Sequence, residues 1–108
     1  MMKMIIAIIN SDDAPVVIQN LMKQHFSVTK LSSSGGFLRS GNVTILIGVE
    51  QEKVQEAIDV IAKYSKSRKQ IISSSFEAGA YFDPSIPFEV TVGGATIFVL
   101  DIERFQKV

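Results

Sequence analysis

The sequence predicts an α+β domain of ferredoxin-like type, a βαββαβ chain carrying an extra C-terminal strand pair. Three observations lead there. MIIAII (Met4–Ile9) is a continuous apolar run suited to a buried strand, and VTILIGV (Val43–Val49) alternates like a strand with one face on a core. Two stretches with helical apolar spacing each follow a strand, as two β-α-β halves require. The 108 residues fit one domain, 1–108, and a hydrophobic content of 46% supplies one modest core.

Taken in order, NSDDAP follows the first strand. Ser11, Asp12 and Asp13 are good N-caps and Pro15 suits a first turn. Val17, Ile18, Leu21 and Met22 then predict a helix from about Ala14 to His25. Phe26–Leu31 (FSVTKL) reads as a strand, followed by the Ser/Gly-rich loop SSSGGFLRSGN and the Val43–Val49 strand. In the latter, Val43, Ile45, Ile47 and Val49 share one face, with Thr44, Leu46 and Gly48 on the other.

Val54, Ala57, Ile58, Ile61 and Ala62 mark one face of a second helix. Glu50 and Glu52 stand near its start and Lys63, Lys66 and Arg68 near its end, which complements the macrodipole. Gln70–Ser74 is a candidate fourth strand, and FEAGAYFDPSIP (76–87) reads as an irregular excursion. Phe88–Val92 and Ala95–Leu100 read as strands joined through Gly93-Gly94, a hairpin signal. Two helices cover only one side of such a sheet, so an apolar second side predicts an oligomer.

Composition excludes several classes. Eleven basic residues balance eleven acidic ones, so the excess that neutralises nucleic-acid phosphates is lacking, and DNA or RNA binding is not expected. With no cysteine there is no disulfide, thiolate metal site or Cys nucleophile. The start MMKMIIAIINSDD lacks the long apolar region of a signal peptide, and no run reaches the ~18 residues of a membrane span. A soluble, cytoplasmic protein is expected.

The candidate sites each carry a plain alternative. Gly35-Gly36 frees the backbone to cradle an anion, with Ser32, Ser33, Ser34, Arg39 and Asn42 as further donors; the alternative is an ordinary loop. Phe37 and Leu38 offer a platform for a flat ring, since base–aromatic stacking is worth about 1–3 kcal/mol, or they tuck back onto their own domain. Asn42 has the donors and acceptor of an adenine edge, and Thr29 could donate to a phosphate; either is also ordinary at its position. His25 is the sole histidine, so a metal site or His-based triad is not expected. Asp12-Asp13 could work as acid and base, though helix capping explains them more simply. An RNA-recognition motif would need aromatics on the central strands, and an acylphosphatase an Arg where this chain has NSDD.

FSVTKLSSSGGFLRSGNVTILIGVE together with VGGATIFVL closely resembles the cyclic di-AMP receptor proteins of the PII-like signal-transduction superfamily. The likeness runs in order over nearly the whole chain, and the string T-K-L-x3-G-G-F-L-x-S-G-N-x-T carries most of its specificity. It implies a bacterial, cytoplasmic, PII-like homotrimer without catalytic activity or cofactor. Such a protein binds cyclic di-AMP in clefts between subunits and relays it by loop rearrangement to a protein target. By the same resemblance, Gly36, Phe37 and Leu38 would wrap the ligand and Thr29 would donate to a phosphate. Asn42 would read an adenine edge with the Gly48 backbone beside the same base, and Phe98 would pack on the second base from the adjoining subunit. Two positions depart from the pattern. Ser27 stands where similar proteins commonly have Arg, removing a contact worth roughly 1.5–3 kcal/mol. Lys107 stands where a ligand-reaching Gln is expected. Ser27 therefore keeps open a second reading, a PII-like module that binds another adenine nucleotide or acts by protein contact alone.

Overall fold

The computed structural model describes residues 1–31, 41–72 and 88–108. Gly36, Phe37 and Leu38, with the rest of the Ser/Gly-rich loop at 32–40, lie outside the described residues, as does the excursion at 76–87.

The chain runs β1 (Met2–Asn10), α1 (Ala14–Lys23), β2 (Val28–Lys30), β3 (Asn42–Glu50), α2 (Val54–Tyr64), β4 (Arg68–Ile72), β5 (Phe88–Val92) and β6 (Ala95–Asp101). Four strands form one antiparallel sheet in the order β2-β3-β1-β6, and β4 and β5 pair separately. This is the α+β, ferredoxin-like arrangement, with β6 as the last strand of the βαββαβ core beside β1.

The two periodicities explain the layers. Ile5, Ala7 and Ile9 of β1 face Val43, Ile45, Ile47 and Val49 of β3 on one side of the sheet. Onto them pack Ala14, Val17 and Leu21 of α1 and Ala57, Val60 and Ile61 of α2, all buried. The opposite side carries Met4, Ile6, Ile8, Leu46, Phe98 and Leu100, and the helices leave it uncovered. Phe98 and Leu100 are 51% and 48% exposed there.

Several boundaries differ from expectation, each for a physical reason. Helix α1 ends at Lys23 rather than His25, because the chain leaves it through His25 at φ 68°. The His25 N–H donates to the Met22 carbonyl and the Phe26 N–H to the Leu21 carbonyl, the two bonds of a Schellman stop. Phe26 thus closes the helix by packing with Leu21 in the core, and β2 shortens to Val28–Lys30. On α2, Val60 is buried and Ala62 exposed, so the core-facing stripe sits one step round from the predicted one.

The fourth strand begins at Arg68, two residues before its predicted start. Lys66 and Arg68 therefore lie beyond α2. Phe88–Val92 and Ala95–Asp101 do not form a hairpin: β5 pairs with β4 and β6 pairs with β1. Gly93 and Gly94, both at positive φ, carry the chain from one sheet to the other. The extra pair is therefore inserted before the last core strand. Asp13 occupies the N-cap position of α1 but makes no side-chain cap bond; its carboxylate goes to Arg68.

Candidate functional site

On the uncovered side, cross-strand register sets residues in rows. Thr29, Leu46, Ile6 and Phe98 form one row across all four strands, and Gly48, Met4 and Leu100 form the next. Ser27, one residue before β2, stands level with Gly48. After β6 the Ile102 N–H donates to the Met2 carbonyl at 3.1 Å, one step beyond the last β1–β6 pair. Phe105, Gln106 and Lys107 of the tail come to the same cleft as Ser27 and Thr29.

Between tail and sheet is a cleft of about 540 Å³, within the size range of small-molecule sites. Met2, Met4 and Leu46 line its sheet wall, with Thr29, Ser27 and Gly48. Ile102, Phe105, Gln106 and Lys107 form the tail side. Lys107 is the one charged residue among these, so this apolar cleft has hydroxyl donors from Ser27 and Thr29 and a single cation. A methyl group added at Gly48 would meet Met2 Cε at 3.8 Å, an ordinary contact. The glycine keeps the floor low where a flat group can approach the backbone.

Four predicted residues thus come together: Ser27, Thr29, Gly48 and Lys107. Two described ones do not join them. Phe98 stands at the β6 edge, three strands from Thr29, about 14 Å at the usual strand spacing. Asn42 opens β3 and lines a separate hollow of about 330 Å³ with Ile8, Gly93, Gly94, Ala95 and Thr96.

Gln106 and Phe105 were missed by sequence reasoning. Residues 102–108 have no periodicity, and only the tertiary fold brings 105–107 to the cleft. The neighbouring Gln106 supplies a glutamine there although Lys107 holds the expected position. Its side-chain oxygen accepts from Arg104 at 2.7 Å. Among the described residues, no three His, Asp or Glu side chains group to hold a metal, and no helix is long and apolar enough to cross a membrane.

Fold and cleft define a small α+β domain with a ligand-sized cleft and an uncovered apolar sheet. The family model described as "Cyclic-di-AMP receptor" matches residues 2–108, and the chain belongs to that family. A protein of Pediococcus pentosaceus ATCC 25745, described as functionally unknown, is 37% identical. Its crystal structure superposes with a TM-score of 0.75 over 99% of this chain and 97% of that one. A DUF3240 family protein from Shewanella baltica OS155 is 10% identical, with a TM-score of 0.56 over 99% and 96% of the two chains, and shares the fold.

Proposed function

We propose that this protein is a non-enzymatic receptor that binds cyclic di-AMP at clefts between the subunits of a homotrimer and signals to a protein target. The observation that carries the reading is the convergence of Ser27, Thr29, Gly48 and Lys107 in one cleft of a chain belonging to the cyclic-di-AMP receptor family. Thr29 and Ser27 donate to a phosphate, Lys107 supplies the positive charge, and a base lies over Gly48. By the family resemblance, Gly36, Phe37 and Leu38 contribute contacts to the ligand.

The subunit cleft is supported by distance. Asn42 and Phe98 lie away from the cleft in their own chain, so a compact ligand reaches them from a neighbouring copy. The apolar row Leu46, Ile6 and Phe98 is the surface such copies bury. Isothermal titration with cyclic di-AMP tests the reading. Binding at roughly micromolar or tighter dissociation constant is expected, and no heat at tens of micromolar protein overturns the ligand assignment.

Ser27 favours one second reading, in which the same cleft takes another adenine nucleotide or none. A thermal-shift panel with cyclic di-AMP, ATP and ADP separates the two, because only a ligand that prefers the folded state raises the melting temperature.

A further inference from the structure

An ion pair joins the base of the β4–β5 pair to the body of the molecule. The Arg68 guanidinium meets the Asp13 carboxylate as a two-pronged fork, Nη1 to Oδ2 at 3.2 Å and Nη2 to Oδ1 at 3.1 Å. Arg68 Nη1 also donates to the Lys66 carbonyl at 3.3 Å. The Asp13 side chain is only 10% exposed, against 48% for Arg68, so the pair is partly shielded from water.

Gly93 lies directly against this fork. A Cβ there would stand 2.6 Å from Arg68 Nη1, 2.7 Å from the Lys66 carbonyl oxygen and 3.3 Å from Asp13 Oδ2, and φ is +82°. No other residue type fits that position without opening the pair. The strand pair thus leaves and re-enters the body beside this ion pair.

The same corner contains Asn42. Asn10 is its register partner, the Ser11 N–H donates to the Gly41 carbonyl at 2.7 Å, and the Asp13 N–H donates to the Asn10 carbonyl at 3.0 Å. Gly93 and Gly94 line the hollow into which Asn42 opens. A closed circuit therefore runs from Asn42 through Asn10 and Asp13 to Arg68 and Gly93, and back to the Asn42 hollow.

The geometry points to a conformational latch: the Asp13–Arg68 pair, closed over Gly93, sets the orientation of the β4–β5 pair and couples it to occupancy of the Asn42 hollow. The coupling half rests on the cyclic di-AMP reading; the latch itself does not. Asp13 and Arg68 are positioning residues in this scheme.

Hydrogen exchange of the full-length protein tests both halves. Without ligand, Arg68→Met and Gly93→Ala should each exchange the β4 and β5 amides about fivefold faster or more than wild type, with β1 and β3 amides unchanged. The swapped pair Asp13→Arg with Arg68→Asp should restore part of the protection, which a loss of packing alone would not. Wild-type rates at β4 and β5 in Arg68→Met, or equal acceleration of β1 and β3, overturn the latch. With cyclic di-AMP, the wild-type protein should change its β4–β5 exchange, while Arg68→Met should still release binding heat yet lose that change. An identical ligand response in both proteins overturns the coupling. Absence of binding heat in the wild type strikes the ligand reading instead and leaves the ligand-free comparison to decide the latch.

Discussion

Asn42 and Gly48 share the uncovered side of β3 but stand at opposite ends of it, six residues and about 20 Å apart at the usual strand rise. One adenine is far smaller than that span, so a base touching both residues takes them from two copies of the chain. Asn42→Ala and Gly48→Leu should therefore each abolish binding alone and complement each other when mixed. In co-refolded mixtures about a quarter of sites, those pairing one intact half from each variant, should bind. Titration stoichiometry checks this, and a mixture as inert as its components would mean that one copy supplies both residues to a site.

Gly48→Ala should move stability and binding in opposite directions. Glycine inside a strand costs about 0.5–1 kcal/mol relative to alanine, and the added methyl meets Met2 Cε at an ordinary 3.8 Å. Denaturant unfolding should show the gain. Titration with cyclic di-AMP should show weaker binding, because in the proposed site the methyl stands where a base would approach the backbone.

Lys107→Gln should weaken cyclic di-AMP binding by roughly tenfold, and the loss should shrink in high salt as screening removes what the cation contributes. Ser27→Arg should tighten binding by roughly tenfold to a hundredfold by restoring a charge-assisted phosphate contact. Titrations of both variants at two ionic strengths check the pair of effects.

His25→Gly should stabilise the fold by about 1 kcal/mol, since His25 holds φ 68° at the Schellman position, where a left-handed L-residue costs about 1–2 kcal/mol and glycine's extra chain entropy offsets part of the gain. Urea unfolding midpoints measure it. An unchanged or lowered midpoint would mean that the imidazole makes a compensating contact.

If the proposed trimer forms through the uncovered sheet face, Phe98→Asp should leave the chain folded and break it. The side chain is 51% exposed at the edge of the uncovered sheet face, so the charge costs little in an isolated chain and much in a buried interface. Sedimentation velocity should show a shift from trimer to monomer, while circular dichroism stays that of the wild type.

Local chemistry in the sequence determined the elements that carry their own period. Val43, Ile45, Ile47 and Val49 alternate toward the helices, and MIIAII is the strand beside them, because side-chain direction in a strand follows residue parity. Thr29 and Gly48 became candidate site residues through the family resemblance, and Ser27 as a departure from it. Only the tertiary structure decided what depends on residues far apart in the chain. No local signal says that β5 turns away from β6 to pair with β4, because a Gly-Gly step suits a hairpin or a change of sheet equally well. Nor could spacing bring Phe105, Gln106 and Lys107 into one cleft with Gly48, which depends on where the tertiary fold carries the C-terminal residues. Asp13 shows the same limit: as a local signal it reads as a helix cap, yet a guanidinium 55 residues away offers its carboxylate two bonds at once.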